Sequence, residues 1–471
     1  MSWFRSTWNF INEISRLYKI NRIITQIRRE PSQTSEQSLE QLRRLILDGG
    51  SIYIKFAQWF VSHISYDVEY TNIVDYFYHF FENCPSQSLE ESSEIYQAAT
   101  GHRLQDDIDI TTITEIGSGS IGTVYKATSK NGTQIAIKIK HPHINRELEE
   151  KRSIIATIRR LQNYDWLRRH FNLCFDLDDF INNIYSQTDF NIEAFNMDKM
   201  RKNFEGNMCI AIPRVLFCHE NVLITEYIDT ISLDELGDYD KHLVAINLVC
   251  MIYQMTLVDN FVHGDLHCKN WKVRRCPLKG NYQIVLFDMG ICFNIDNVDI
   301  AHTLWDSLEN GDTRKIVDSI SEMCISPIPL DVTSEMDNLI RDMSNNKIDA
   351  LSILPRVINY FSAHNLKIHP YAANLLIMVC LIQKFLKHNG FVQEENEFRN
   401  IFSIIQSSRM DIVSYCECYQ SYREVASIMK EKLARCSIEK SITTLKLASP
   451  DDMSSEDDES IDVGDNEVFE D

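Results

Sequence analysis

One stretch, from Phe261 to Cys292, constrains this chain more than any other. Its first half reads Val262-His263-Gly264-Asp265-Leu266-His267-Cys268-Lys269-Asn270, and its second Ile284-Val285-Leu286-Phe287-Asp288-Met289-Gly290. Phosphoryl transfer asks a protein for a carboxylate near the attacking hydroxyl and for oxygen ligands to the metal on the phosphates. Asp265, with Asn270 five residues on, offers both on one tight loop. The apolar run before Asp288 places a second metal carboxylate at a strand end. Either half alone also fits an ordinary turn and a strand-end acid. In this order, with a hairpin-sized gap between them, they predict one site.

Upstream lies Gly117-Ser118-Gly119-Ser120-Ile121-Gly122-Thr123-Val124, a glycine-rich loop. Glycines let the backbone approach phosphates with no Cβ in the way. The Asn131-Gly132 turn after it signals a β-hairpin, whereas a dinucleotide site would sit between a strand and a helix. The candidate nucleotide contacts are therefore Gly117, Ser118, Gly119, Ser120, Ile121, Gly122 and Val124. Lys138, in Ile135-Ala136-Ile137-Lys138, is the candidate phosphate ligand, although a solvated face is the commoner fate of a strand lysine. Glu193, in Asp189-Phe190-Asn191-Ile192-Glu193-Ala194-Phe195-Asn196, is the candidate carboxylate to orient it. Thr225-Glu226-Tyr227-Ile228 ends a strand, where the backbone of Glu226 and Ile228 would meet an adenine.

A chain of 471 residues can bury a large core. Its net charge of −21 argues against a nucleic-acid partner. The 13 cysteines are scattered and form no paired Cys-x-x-Cys sets, so neither a disulfide scaffold nor a zinc knuckle is expected. The stretches Leu243–Val258 and Tyr371–Ile382 are too short or too polar to span a membrane and read as buried helices. A basic amphipathic segment opens the chain, with Phe10, Ile14, Leu17, Ile24 and Ile27 on one face. It suits a membrane-surface helix, a transit-like segment or a helix docked on the protein's own surface. Pro31–Ser38 reads as a linker, followed by helices through Gly49-Gly50 and Lys55-Phe56-Ala57-Gln58 towards Phe81. Strand signals begin at Ile110 and recur at Gln134–Lys140, Ile212–Phe217 and Asn221–Ile228. Helix is expected over Asn145–Phe204, broken near Asn172, and over His242–Asn260. The end, from Pro450, carries eleven acids and no Lys or Arg, the composition of a solvated tail.

In their order these motifs resemble the UbiB/ADCK-like (aarF-domain) atypical kinases. Lys55-x-x-Gln58 looks like that family's Lys-x-Gly-Gln, and Asp189-Phe190-x-x-Glu193-Ala194-x-Asn196 like its acidic helix motif. His263-x-Asp265-x-His267-x-x-Asn270 resembles its catalytic loop and Asp288-x-Gly290 its metal motif. The resemblance implies an α+β, two-lobed protein-kinase-like fold with a helical N-terminal extension over the cleft, and Mg2+ and ATP as cofactors. It implies Asp265, Lys138 and Glu193 as catalytic residues and Asn270 and Asp288 as metal ligands. Lys55, Gln58 and Asp189 form its gating motif. The acceptor, protein, lipid or water, is left open, as is the compartment. The expected divisions are 1–38, the basic segment and linker; 39–109, the helical extension; and 110–228, the N-lobe with inserted helices. They continue with 229–447, the C-lobe with the catalytic loop, and 448–471, the acidic tail. Three departures stand out: Ala57 for glycine, Gln187 for the first acid of Glu-x-Asp, and Gly117-Ser118-Gly119 for an Ala-rich loop. A small-molecule kinase of the aminoglycoside or choline type shares His-Gly-Asp-Leu-His-x-x-Asn, but would not account for Lys55-x-x-Gln58. A nucleotide-binding pseudokinase scaffold is the remaining alternative.

Overall fold

The computed structural model describes residues 2–29, 34–64, 87–161, 177–207, 209–266, 270–276, 282–295, 313–325 and 327–345, with isolated positions between and beyond these as far as 372. The break expected near Asn172, the sequence at His267 and the acidic tail lie outside them.

The chain opens with three helices, α1 (Ser2–Arg29), α2 (Glu36–Gly49) and α3 (Ser51–Ile64). Ser35 caps α2 by accepting from Ser38 N, so the helix starts inside the stretch read as a linker. Leu39, Leu42, Ile46, Tyr53, Ile54, Ala57 and Val61 form a core between α2 and α3, closed by Ile20 and Ile27 of α1. On α1, Ile20 and Ile27 are buried and Leu17, Ile23 and Ile24 partly so, whereas Ile14, expected on the same stripe, is 42% exposed. The packed stripe is centred on Ile20 and Ile27, which leaves Ile14 at its edge and at the surface.

Helix α4 (Leu89–Thr100), with a Ser88–Glu91 capping box, and the short α5 (Leu104–Asp107) lead into the sheet. Strands β1 (Ile108–Ser118), β2 (Gly122–Ser129), β3 (Gln134–Lys140), β5 (Val215–His219) and β6 (Val222–Glu226) pair antiparallel in the order β1-β2-β3-β6-β5. Alternation along β3 buries Ile135, Ile137 and Ile139 against Tyr96 of α4 and Val222 of β6, and turns Lys138 to the other face. Between β3 and β5 come α6 (Ile144–Leu161), α7 (Leu177–Gln187), α8 (Phe190–Asn203) and the two-residue β4 (Ile210–Ala211). A break at Thr188-Asp189 separates α7 from α8. The strand expected from Ile212 starts only at Val215, because Pro213 has no N–H to give a ladder.

Beyond β6 the chain enters the second lobe. Helix α9 (Asp238–Tyr253) runs on through a π-helical turn at Gln254–Val258 and stops at Asn260, whose φ of 50° ends the helical path. Short β7 (Phe261–His263) pairs with β10 (Cys292–Asn294), while β8 (Trp271–Arg275) and β9 (Tyr282–Leu286) form the hairpin between the two halves of the motif. Strand β4 joins β9 in parallel and so ties the α8 side of the first lobe to the second. Helices α10 (Thr313–Glu322) and α11 (Leu330–Asn345) complete the described C-lobe. Its core gathers Leu248, Met251, Met255, Trp271, Ile284, Leu286 and Met289, each 2% exposed or less.

One buried ion pair joins the extension to the lobes. Glu147 and Lys151 lie one turn apart on α6, 8% and 9% exposed, with their charged groups 3.3 Å apart. Glu147 accepts from Ser51 N and Ile52 N, the first amides of α3, at 3.1 Å each. Lys151 Nζ donates to the Gly49 carbonyl at the end of α2. An anion at a helix N-terminus and a cation at a C-terminus each meet the favourable end of a dipole. Gly50 sits between them at φ 83°, and any Cβ there would strike the Glu147 carboxylate at 2.7 Å.

Candidate active site

Lys138 Nζ lies 2.9 and 2.8 Å from the two carboxylate oxygens of Glu193. It also lies 3.4 Å from Asp288 Oδ1. Alternation along β3 aims the lysine, and α8 supplies the glutamate from its first turn. Asp189 caps that helix, accepting from Asn191 N and Nδ2 at 3.0 Å each, so this member of the expected gating motif is engaged in holding the Glu193 helix. Burial opposes the Lys138 charge, but Asp288 and Glu193 outweigh it and hold the ammonium above its ordinary pKa. Burial pushes Glu193 up, and Lys138 opposes that shift.

His263 is fully buried and joins the two halves of the motif. Asp265 N donates to its Nδ1 at 3.1 Å, which places the ring proton on Nε2. Nε2–H then donates to Phe287 O at 3.1 Å, directly before Asp288. Asn270 Nδ2 donates to Asp265 O at 2.8 Å, and Phe287 N to Asn270 O at 2.7 Å. Asp265, Asn270 and Asp288 thus stand on one hydrogen-bonded frame. Asp288 adopts φ 47°, a left-handed conformation that costs a non-glycine residue energy and that the frame sustains. Met289 fills the core beneath it, and its carbonyl accepts from Asn196 Nδ2 of α8 at 2.9 Å. Gly290 is packed closely too: a Cβ there would come within 3.1 Å of Gln187 Cγ. The residue at the departed Glu-x-Asp position therefore leans on the Asp288 turn as a neutral amide.

The glycine-rich loop is the β1–β2 turn, with Gly117 facing Val124 and Ser118 facing Thr123. Gly122 admits no side chain, because a Cβ would lie 2.5 Å from Ile139 O. Gly117 has nothing within 4 Å of that position and Gly119 only Gly122 O at 3.8 Å, so both leave open space. Ser120 is 4% exposed, and its hydroxyl has no hydrogen-bond partner among the described residues. Glu226 closes the sheet beside Ile135. Ile228 packs on Ala211 and Val285, under the strand that leads to Asp288. Both also line a cavity of about 480 Å³ with Arg201, Lys202 and Arg274, on the α8 side of that segment.

On α3, Lys55 and Gln58 are half-buried; of the influences on the Glu193 pKa, which burial raises most, the Lys55 charge is a small one that lowers it. Ala57 faces the other way, into the extension's core. Sequence reasoning did not single out Glu147, Lys151 or His141, whose contacts join segments far apart in the chain. Among the described residues no group of three or more His, Cys, Asp or Glu is set to hold a metal by itself.

Residues 79–320, just over half of the chain, match the model of the ABC1 atypical kinase-like domain. The chain is 29% identical over 262 residues to the ABC1 family protein MCP2 of Saccharomyces cerevisiae, an overlap covering 51% of this chain and 45% of that protein. It is 25% identical over 271 residues to a probable protein kinase UbiB of Azotobacter vinelandii, covering 55% and 50% respectively. The chain spans about half the length of the curated relatives it matches. Among solved structures it is similar to the Rv3197–erythromycin complex from Mycobacterium tuberculosis, with 14% identity, a TM-score of 0.43 and coverage of 63% of this chain and 80% of that one.

Proposed function

Because the chain belongs to the ABC1 atypical kinase-like family, we propose that it is a Mg2+- and ATP-dependent phosphotransferase or ATPase. The observation that carries this reading is the Lys138 ammonium held between Glu193 and Asp288, on the frame that also fixes Asp265 and Asn270. The residues present fit a magnesium nucleotide. Nothing is packed where a Cβ on Gly117 would lie and only Gly122 O, at 3.8 Å, where one on Gly119 would, so no side chain stands between the backbone there and a phosphate, and the unpartnered Ser120 hydroxyl is a donor in the same loop. With Asn270 Nδ2 engaged by Asp265 O, its Oδ1 is the end presented to a cation, and Asp288 supplies the carboxylate. Two such protein ligands suit magnesium, which takes most of its shell from phosphate oxygens and water. When bound, the ion neutralises charge on the phosphates.

In this reading Lys138, oriented by Glu193, positions the phosphates, and Asp265 orients or deprotonates the acceptor. Lys55 and Gln58 belong to a gate laid over the cleft by α3, a role that rests on the family resemblance and is supported by the packing of Ile52 and Phe56 of that helix on the helices inserted between β3 and β5. The acceptor is a protein, a lipid or water, and a link to isoprenoid-lipid metabolism rests on the family resemblance. No helix among the described residues is long and apolar enough to cross a membrane; the basic, amphipathic α1 is the element we propose for a membrane-surface contact. The test is turnover of γ-labelled ATP with product identification, run with a peptide library, with lipid vesicles and with buffer alone. Label in inorganic phosphate, lipid or peptide names the acceptor. Absence of both turnover and nucleotide binding overturns the reading.

A further inference from the structure

The first residue after β3, His141, grips the glycine-rich loop at two points. Its backbone N–H donates to Ile121 O at 2.8 Å, and its ring Nε2 lies 3.0 Å from Gly119 O. These carbonyls flank Ser120, the residue with the buried, unpartnered hydroxyl. The ring is itself buried, and its Nδ1 lies 3.0 Å from Gln87 Oε1, just before α4. Gln87 Nε2 donates to Ser92 Oγ at 2.7 Å, and Ser92 Oγ lies 2.9 Å from the hydroxyl of Tyr125 on β2. The network thus leaves the loop through His141, crosses α4 and returns to the strand that carries the loop's other end.

Burial, the largest influence, holds the imidazole pKa below its ordinary value, so the ring is neutral near pH 7 and carries one N–H. The Gly119 carbonyl can only accept, which fixes that proton on Nε2. A half-turn of the Gln87 amide gives Nδ1 a donor, and the amide oxygen then accepts from Ser92, so both ring nitrogens are satisfied. His143 stacks on the ring at 5.4 Å, and its Nε2 lies 3.3 Å from Ser51 Oγ at the start of α3.

We propose that His141 is a positioning residue for the nucleotide. It pins the carbonyls on either side of Ser120, in a turn whose Gly119 N–H is already given to Gly122 O, and so holds the Ser120 hydroxyl and the backbone around it in one arrangement for the phosphates. The proposal rests on the nucleotide-binding reading above. A glycine-rich turn left to itself is conformationally broad. Ordering it before the ligand arrives reduces the entropy lost on binding and raises affinity.

The test uses the full chain with His141→Ala, His141→Gln and Gln87→Ala. Amide hydrogen exchange over Gly117–Gly122 without nucleotide reads the pin, and the Kd for Mg–ATP, by calorimetry, reads its consequence. His141→Ala is expected to speed exchange in the loop and weaken Mg–ATP binding about tenfold, the scale of a lost hydrogen bond. His141→Gln, whose Nε2 can replace the ring donor, restores both. Adding Gln87→Ala to His141→Ala has little further effect, since the two act through one network. Should His141→Ala fail to fold, Gln87→Ala carries the same test, because it loosens the ring and leaves the backbone bond intact. Unchanged exchange in His141→Ala, or in Gln87→Ala where His141→Ala does not fold, overturns the pin. Faster exchange with an unchanged Kd overturns the positioning role. A wild-type protein that binds no Mg–ATP overturns the nucleotide reading and this role with it.

Discussion

Asp288 and Gly119 are the residues at which the functional reading is most exposed to test. Asp288 stands 3.4 Å from Lys138 in a left-handed backbone conformation, so its carboxylate is placed by the chain around it. Asp288→Asn keeps the shape and removes the charge. Mg–ATP is expected to raise the melting temperature of the wild type by mass action, and the variant is expected to lose the magnesium-dependent part of that rise. Equal shifts in both proteins would remove Asp288 from the metal site. Gly119→Ala asks a different question. The added methyl meets only Gly122 O at 3.8 Å, so it costs the fold little. It does restrict the backbone and keeps amides from closing on phosphates. Its expected effect is a change in the ratio of ATP to ADP dissociation constants, against ATP, with melting temperature unchanged. An unchanged ratio would make the glycine neutral here.

The contrast between elements is clearest at α6, where local pattern and tertiary role part company. Its surface pair Arg146–Glu150, 3.8 Å apart and largely exposed, is an ordinary i,i+4 contact worth at most about 0.5 kcal/mol. Its buried pair Glu147–Lys151 holds the ends of α2 and α3. Glu147→Gln puts an amide N–H against an N–H donor and leaves the Lys151 charge without its counter-ion. The expected loss in denaturant unfolding is roughly 3 kcal/mol, the scale for breaking a buried ion pair. Glu150→Gln should be close to neutral, and similar losses in the two variants would refute the clamp. In sequence, Glu147 and Glu150 look alike, because the partners that separate them lie 95 and 96 residues away. Elements set by local rules were legible: β3 spans Gln134–Lys140 as its alternation predicts, and the β1–β2 turn falls on the glycines. The Lys138–Glu193 pair, 55 residues apart, was legible only because both residues lie in recognisable motifs. The start of α2, the π turn before Asn260 and the outward face of Ile14 were not, because capping and packing partners decide them.

Across the whole molecule, the N-terminal helices and the kinase-like lobes share packing, and this decides how the gate can be tested. Leu17 of α1 and Ile52 and Phe56 of α3 pack on Ile144, Leu148, Ile155, Ile181 and Ile184 of α6 and α7. Removing residues 1–81 would bare that apolar surface and strip Glu147 and Lys151 of the Gly49, Ser51 and Ile52 backbone groups that they bond. Such a truncated chain is expected to lose stability and solubility, so a change in its turnover would not isolate the gate. Lys55→Ala is the cleaner variant. Lys55 is half-buried on α3, while Ala57 and Ile54 on the same helix hold it to the extension's core. If α3 restricts what reaches the phosphates, the wild type hydrolyses ATP slowly and phosphorylates generic peptides poorly. Lys55→Ala then alters turnover or acceptor use while the Kd for Mg–ATP and the melting temperature stay near wild type. The measurement is label transfer to water, to a peptide library and to the protein itself, for both proteins at matched nucleotide occupancy. Efficient peptide phosphorylation by the unaltered chain would sink the gate. Loss of nucleotide binding in Lys55→Ala would instead assign Lys55 to the phosphate site, where its charge would join that of Lys138.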